Sequence, residues 1–343
     1  MMKSTKIYFV CPKNKFASGG VKQIYRQVEI LQKNGYQAFV LHKKKTKEKW
    51  FQSSAVIKSS PFLFKLLKYF LSGKKLSFSK KIKLSLLKRQ SETIGKNDIL
   101  VFPEIYGNAI YSVEPEVRKI IFNQNCYYTF NTSSINRNNT CAQESIQTII
   151  TVSEDSKNYL EYAFPKSEIH RIRLGINHHI FNYSDKKEKQ ISFMPRKLSE
   201  DVTQVINILR QRAASKGWKL VSIDNKSEKE VAEIMKQSLI FLSFNHREGF
   251  GLPPAEAMAC GCFVIGYQGQ GGKEYLKAEF SYPIAEGDII SFTKNIERLM
   301  HKYEIDPQSI LEKGKMASDF ILETYSLKNE EADILKTWEK ILQ

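Results

Sequence analysis

The sequence predicts an α/β protein with two Rossmann-like domains, and two observations lead to this prediction. Within residues 6–42, a strand pattern, a glycine turn, a helix pattern and a second strand pattern follow one another. This β-α-β order is typical of a parallel, doubly wound sheet. After a polar, charged stretch at 182–190 the same alternation begins again, and 343 residues are enough to fill two hydrophobic cores.

The elements of the first domain can be assigned from their periodicity. The first strand pattern, KIYFV, begins at Lys6, and QAFVLH forms the second strand. The helix between them has apolar residues at helical spacing, namely Val21, Ile24, Val28 and Leu31. Gly35 supplies its end signal. Further apolar runs at 98–104, 118–125 and 147–153 continue the alternation, so we predict an N-terminal Rossmann-like domain at 1–182.

The second domain is predicted in the same way. Its strand patterns are QISFMPR, WKLVSID, LIFLSF and GCFVIGY, and helix patterns separate them. We therefore predict a C-terminal Rossmann-like domain at 183–325. The last segment, 326–343, has apolar residues at helical spacing, and these are Ile334, Leu335, Trp338, Ile341 and Leu342.

The positive charge of the chain is concentrated in one segment. The net charge is +17, and residues 43–89 contain 15 Lys or Arg and one acid, which gives 15 − 1 = +14. Such a segment suits nucleic acid, an anionic membrane surface or an acidic substrate, or it is a solvated face. No apolar run resembles a signal peptide or reaches the ~20 residues of a membrane span. We therefore expect a cytoplasmic protein.

The stretch HREGFGLPPAEAMACGC, from His246 to Cys262, points to a ligand site. Glu248 follows the buried strand LIFLSF, and open α/β sheets bind ligands at the carboxyl ends of their strands. The flanking glycines admit a ligand close to the backbone, and the first helical turn after them favours an anion such as a diphosphate. Glu256 can accept hydrogen bonds from the vicinal hydroxyls of a ribose. The alternative for Glu256 is an acid that stabilises its own helix dipole.

The stretch EGFGLPPAEAMACGCFVIGYQGQGGKEYL, at 248–276, resembles the retaining, nucleotide-sugar-dependent enzymes of glycosyltransferase family four. Residues 17–21, 149–160 and 170–181 support this resemblance. The resemblance implies a GT-B fold, in which two Rossmann-like domains face each other across a donor-binding cleft. The N-terminal domain would bind the acceptor, and the last helix, 326–343, would cross back to it.

The resemblance also implies an activity. The enzyme would move a sugar, with retention, from a nucleoside diphosphate sugar to a growing surface glycan such as capsule or O-antigen, carried on a lipid. We expect no cofactor, with the nucleotide sugar as co-substrate. We also expect no metal, because the chain has no Asp-x-Asp motif and few Asp clusters.

By resemblance, individual residues take roles at this site. Glu248 would contact the donor sugar beside the reacting carbon, Glu256 would hold the ribose, and Arg196 would bind the diphosphate through its planar fork. Glu248 and Arg196 are the predicted catalytic residues. The predicted donor-binding residues are Glu256, Lys197, Gly249, Phe250, Gly251, Leu252, Gly19 and Gly20.

The chain departs from the family pattern at two places. No Lys-Gly pair follows Arg196, so either Lys197 replaces the second phosphate cation or that contact is missing. Gln124 and Asn125 stand where many members have a histidine, and an amide cannot take up a proton. The departing diphosphate would then accept the proton of the acceptor. Glu104 is either an acceptor-side acid, together with Gln124 and Asn125, or a surface loop acid.

Other functions remain open from the sequence. A nucleotide-sugar epimerase or a phosphorylase can use the same fold. A nucleic-acid-binding module is less favoured, because PFLFKLLKYFLSG groups its aromatic residues with leucines, and we expect no nucleic acid. A helix at 61–71 would either pack its apolar side on the sheet or, with the basic residues up to 89, lie on an anionic membrane. We favour the membrane, where lipid-linked acceptors are found.

Overall fold

The computed structural model describes residues 5–14, 18–46, 48, 50–72, 77–131, 147–212, 214 and 216–343. Two compact units make up the chain. Unit 1 contains Met1–Val152, Ser156–Ile172 and Glu331–Gln343, and unit 2 contains Ser153–Asp155 and Arg173–Glu330. Unit 1 is therefore assembled from three separate stretches of the chain.

A parallel sheet of seven strands forms the centre of unit 1 within the described residues, in the order β3-β2-β1-β4-β5-β6-β7. The strands are β1 Lys6–Val10, β2 Gln37–His42, β3 Ile57–Ser59, β4 Ile99–Pro103, β5 Arg118–Asn123, β6 Thr148–Thr151 and β7 Glu168–Arg171. Every residue of β4 is buried, as is typical of a strand covered on both faces of a parallel sheet.

A second parallel sheet forms the centre of unit 2, in the order β12-β11-β10-β8-β9. Its strands are β8 Glu188–Phe193, β9 Lys219–Ser222, β10 Ser238–Glu248, β11 Phe263–Gln270 and β12 Ser281–Ile284. The pairing of β10 with β11 shifts register between Asn245 and Glu248, and Arg247 has a φ of 46°. This irregularity bends β10 where the sequence predicts a ligand site.

The α-helices of the described residues lie between the strands and after the last of them, β12. They are α1 Gly19–Lys33, α2 Pro61–Leu71, α3 Phe78–Arg89, α4 Glu154–Ala163, α5 Ser199–Gln211, α6 Glu228–Gln237, α7 Leu252–Ala259, α8 Ile289–Ile305, α9 Pro307–Thr324 and α10 Leu327–Leu342. Within the part of the chain that the structure describes, none of these helices is both long enough and apolar enough to cross a membrane.

The end of α10 packs into unit 1. Trp338 is fully buried, and its ring centroid lies 5.8 Å from that of Phe9 in β1. Arg118 donates a hydrogen bond from Nη1 to the backbone oxygen of Ile341 at 2.7 Å. The last turns of the chain thus complete the core around β1.

The division between the units falls after Ile172, earlier than the predicted domain boundary at 182. Residues just after this point are held by unit 2. The backbone N–H of Ile176 donates to the oxygen of Tyr325 at 2.8 Å, and Gly175 lies against the backbone of Leu327. The polar stretch at 182–190 suggested the boundary because its composition differs from that of its surroundings. The contacts of Gly175 and Ile176 with distant segments leave no such trace in the composition.

Candidate functional site

Glu248 and Lys197, which the sequence analysis assigned to the donor, lie together in unit 2. Glu248 is the last residue of β10, and Lys197 follows β8, the neighbouring parallel strand. The carboxyl ends of parallel neighbours meet at one edge of a sheet, and Lys197 Nζ forms an ion pair there with Glu248 Oε1. Both side chains are half-buried, while Arg196 is exposed.

The ammonium group of Lys197 has an unusual environment. Burial, and then the positive charge of Arg196, lower the pKa of Lys197 from 10.5 to about 8. The Glu248 carboxylate favours the charged form and opposes this shift. Two cations beside one carboxylate leave an excess of positive charge, which suits an anionic ligand such as a diphosphate.

The Gly-Phe-Gly turn after β10 has a tightly fixed backbone. Gly251 has a φ of 86°, and a Cβ atom there would lie 2.3 Å from Asn245 Nδ2. The buried hydroxyl of Tyr275 donates to the backbone oxygens of Gly251 and Phe250, at 2.5 and 3.1 Å. Phe250 is itself buried against Tyr275, so any contact of Phe250 with a donor involves its backbone.

The glycine-rich stretch after β11 packs directly on this turn. A Cβ atom on Gly271 would lie 2.1 Å from the carbonyl oxygen of Gly249, so only glycine fits there. Helix α7 begins at Leu252, immediately after the turn, and Glu256 is half-buried one turn into it. The structure thus places Glu248, the turn and the first turn of α7 in one continuous segment.

Sequence reasoning missed two residues of this region, Asn245 and Tyr275. Both lie inside or next to the quoted motif, but neither is a charged or catalytic residue type, so pattern alone gave them no role. Their function is visible only in the structure, where they pack against Gly251 from within unit 2.

In unit 1 the predicted acceptor-side residues also form one cluster. Glu104 follows β4, and Gln124 and Asn125 follow the neighbouring strand β5. Glu104 accepts hydrogen bonds from the backbone N–H groups of Gln124 at 3.2 Å and Asn125 at 3.1 Å. The Glu104 side chain is 5% exposed, so its interpretation as a surface loop acid is wrong. Burial raises the pKa of Glu104 to about 7.

The first turn of α1 belongs to the same cluster. Gln124 donates from Nε2 to the backbone oxygen of Gly20 at 3.1 Å, and a Cβ atom on Gly20 would lie 3.4 Å from Gln124 Oε1. Asn125 is occupied locally, because its Oδ1 accepts from the N–H of Tyr127 at 3.1 Å. Gly19 begins α1, and the resembling stretch at 17–21 starts outside the described residues.

Sequence comparison finds similarity between this chain and known enzymes. Residues 209–316 match the model of the family described as glycosyl transferases group 1. An alpha-1,6-glucosyltransferase of Actinobacillus pleuropneumoniae serotype 7 (strain AP76) is 28% identical over an alignment of 216 residues that covers 58% of this chain. The chain spans 62% of the length of that relative.

Solved structures resemble nearly the whole chain. Sucrose-phosphate synthase from Thermosynechococcus elongatus superposes with a TM-score of 0.67 at 12% identity, over 98% of this chain and 99% of that one. HepE of Anabaena, solved in complex with UDP and glucose, gives a TM-score of 0.61 at 13% identity, over 98% and 100%. The chain has the GT-B fold. The predicted resemblance to GT-B glycosyltransferases is confirmed, while membership of glycosyltransferase family four stays a prediction.

The basic segment of this GT-B chain has two kinds of face. Leu63 and Leu67 of α2 are buried in the core of unit 1, as the packing alternative predicts. Other large apolar side chains of α2 and α3 are exposed, namely Phe70 (38%), Leu71 (43%), Ile82 (52%) and Leu86 (56%). Lys74, Lys75 and the side chain of Lys81 lie outside the described residues.

Proposed function

We propose that this chain is a glycosyltransferase that moves a sugar from a nucleoside diphosphate sugar to a growing surface glycan, with retention at the anomeric carbon. The observation that carries this proposal is the Lys197–Glu248 pair beside the Gly-Phe-Gly turn. Glu248 and the turn lie within the region that matches the glycosyl transferases group 1 model. The structural similarity to solved enzymes supports the fold, and the site chemistry supports the function.

In this proposal the donor phosphates bind to cations and backbone amides of unit 2. Arg196 offers a planar fork, and Lys197 offers a point charge beside it. In the first turn of α7 the N–H of Leu252 adds a further donor, because Pro253 and Pro254 have no N–H. Glu256 accepts hydrogen bonds from the ribose hydroxyls. Gly19 and Gly20 in unit 1 stay predicted donor contacts.

The ion pair suggests how the sugar is engaged. A diphosphate offers Lys197 more negative charge than the single Glu248 carboxylate, so the ammonium group can exchange one partner for the other. Glu248 is then available to the hydroxyl groups of the donor sugar. With amides at Gln124 and Asn125, the departing diphosphate oxygen takes the proton of the acceptor, and no metal or cofactor is required.

The names of the similar proteins suggest the first substrate to test. The curated relative is a glucosyltransferase, and the HepE structure contains UDP and glucose. We therefore propose UDP-glucose as the donor and a lipid-linked glycan as the acceptor. The other sugars and bases of a nucleotide-sugar panel serve as comparisons.

The test is turnover of that panel by the whole chain, with and without a chelator. Glu248→Gln should lose most transfer and most slow donor hydrolysis while it still binds UDP, because the amide keeps the shape but not the charge of the carboxylate. Glu304→Gln, a surface ion-pair residue, is the control. Unchanged turnover in Glu248→Gln would contradict the assignment, and a product that remains nucleotide-linked would indicate an epimerase instead.

A peripheral membrane location is the second part of the proposal. The exposed apolar residues of α2 and α3, together with lysines and Arg89 at 61–89, support binding to the inner face of an anionic membrane. Ile82→Ser with Leu86→Ser should weaken co-sedimentation with anionic vesicles at low salt. Tyr162→Ser, which removes another exposed apolar side chain, should not. Equal binding of wild type to neutral vesicles would argue against an electrostatic surface.

A further inference from the structure

A basic pocket of about 430 Å³ lies in unit 1. Four cationic side chains and one carboxylate line it, and these are Lys6, Lys45, Lys58, Arg89 and Glu92. Serine, threonine and glutamine side chains complete the lining. None of the lining residues belongs to the predicted donor or acceptor clusters, so the pocket is a separate feature of the unit.

The positive charge of the pocket is only partly neutralised. Glu92 is within 3.2 Å of Lys58 Nζ, and the hydroxyl of Tyr8 donates to the same carboxylate at 3.2 Å. Among the described residues, no carboxylate oxygen lies within 4.0 Å of the side-chain nitrogens of Lys6, Lys45 or Arg89. Three cations therefore remain for an external anion.

The wall of the pocket is held by backbone contacts. The N–H of Glu92 donates to the oxygen of Ser59 in β3 at 2.8 Å, so the segment after α3 is fixed to the edge of the sheet. The hydroxyl of Ser91 accepts from the N–H of Phe62 at 3.0 Å, which ties the same segment to α2. Lys58 is half-buried, with its ammonium group 5.3 Å from the centroid of the Phe39 ring.

We propose that this pocket binds a phosphate group carried by a saccharide. Arg89 can hold two phosphate oxygens through its planar fork, and Lys6 and Lys45 add point charges. The neutral polar side chains of the lining suit sugar hydroxyl groups, and the volume is within the usual range of small-molecule sites. The pocket lining contains no aromatic residue on which a nucleic acid base could stack.

The proposal deepens the proposed function and rests on it in one respect, namely that the phosphorylated saccharide is part of the glycan acceptor. Two cations of the basic segment, Lys45 and Arg89, then have a specific ligand rather than only a role in solubility. Binding itself can be measured without any turnover, so the two proposals can fail separately.

The experiment is a calorimetric titration of the whole chain with glucose 1-phosphate, in the presence of saturating UDP so that the donor site is occupied. The variant Lys45→Gln/Arg89→Gln should weaken binding at least about 10-fold, since it removes two charge-assisted contacts. The control variant Lys44→Gln/Lys88→Gln changes the adjacent exposed residues and has the same net charge. It should bind like wild type.

The other arms identify the source of the anion. Glucose alone should not bind, and inorganic phosphate should bind more weakly than glucose 1-phosphate. Equal binding of inorganic phosphate and glucose 1-phosphate would overturn the saccharide part of the proposal. Binding only to phosphatidylglycerol vesicles would mean that the positive charge serves a membrane surface, and it would overturn the whole proposal. An equal loss of glucose 1-phosphate affinity in Lys45→Gln/Arg89→Gln and in Lys44→Gln/Lys88→Gln would also overturn it.

Discussion

The ammonium group of Lys197 and the carboxylate of Glu248 form an ion pair between the ends of two neighbouring strands, β8 and β10. The pair brings the residue predicted to bind the diphosphate, Lys197, into direct contact with the residue predicted to bind the sugar, Glu248. Any anion that binds to Lys197 must therefore compete with Glu248. In the proposed function, phosphate binding to Lys197 releases the carboxylate of Glu248, so donor recognition controls the availability of this predicted catalytic residue.

The first prediction concerns Arg196. Arg196→Ala should weaken the affinity for UDP about 10- to 100-fold, because a hydrogen bond between charged groups contributes roughly 1.5–3 kcal/mol. The affinity for uridine should change little. Isothermal titration with both ligands measures the difference, and Arg298→Ala, which removes another exposed arginine of unit 2, is the control. Equal weakening of UDP and uridine would mean that Arg196 has another function.

The second prediction concerns pH and Lys197. With a pKa of about 8, Lys197 loses its proton well before ordinary lysines do, so the affinity for UDP should fall as the pH rises from 7 to 9. Lys197→Gln should bind UDP more weakly at pH 7 and lose most of this pH dependence. In Arg196→Ala the pKa of Lys197 should increase, which NMR of ¹³C-methylated lysines can follow. A pH-independent affinity in wild type would contradict this assignment.

The third prediction concerns the stability of unit 1. The pKa of Glu104 is raised from 4.5 to about 7, so the folded state retains a proton that the unfolded state has lost. The free energy of unfolding should therefore decrease as the pH rises from about 4.5 to about 7. Glu104→Gln removes this proton but leaves one buried N–H without a good acceptor, at a cost of about 1–3 kcal/mol.

The test is urea denaturation at pH 5 and at pH 8. Glu104→Gln should be clearly less stable than wild type at pH 5, and the gap should narrow at pH 8. Glu116→Gln, an exposed acid of the same unit, should show neither effect. A gap that widens with pH would show that ionised Glu104 stabilises the fold.

The fourth prediction compares two glycines with left-handed backbone. Gly251 and Gly217 have φ values of 86° and 83°. A Cβ atom added to Gly251 would have neighbours within 4 Å, whereas one added to Gly217 would have none. Gly217→Ala should cost about 1–2 kcal/mol, the strain of a Cβ atom in this conformation. Gly251→Ala should cost about 1–3 kcal/mol more, because the new atom meets Asn245 and Tyr275. It should also weaken UDP binding, and similar stabilities of the two variants would contradict the steric argument.

The fifth prediction concerns α10. Trp338→Ala should lower the free energy of unfolding by about 3–5 kcal/mol, because it leaves a cavity beside Phe9 in the core of unit 1. Tyr162→Ala, which truncates an exposed aromatic residue of α4, should change stability by less than about 0.5 kcal/mol. Thermal and chemical denaturation measure both, and a mild effect of Trp338→Ala would mean that α10 contributes little to unit 1.

Much of the fold could be predicted because strand and helix periods are local properties of the sequence. The β-α-β unit around α1, the α2 helix at Pro61–Leu71 and the turn between β10 and α7 all follow from such patterns. The positions of Glu104 and Gln124 at strand ends were predicted, but the hydrogen bond between them was not. That bond forms because β4 and β5 are neighbours in the sheet, and the sequence of neither strand shows which strand lies beside it.

The supporting contacts of the candidate site were less accessible to sequence reasoning. The hydroxyl of Tyr275 reaches the backbone of Gly251 across two segments of unit 2, and the residue type alone suggests only a core aromatic. The Lys197–Glu248 pair has the same origin, because it arises where two parallel strands end side by side. Contacts of this kind require the three-dimensional register of the sheet.

The three-part construction of unit 1 has a consequence for synthesis on the ribosome. Residues 331–343 follow unit 2 in the chain, so Trp338 can reach Phe9 only after unit 2 has been translated. Unit 2 ends at Glu330 and is therefore complete before unit 1 is. Domains usually fold in the order of their synthesis, but here unit 1, whose first strands precede unit 2, should finish folding after unit 2. The core around β1 therefore stays incomplete until residues 331–343 have been made.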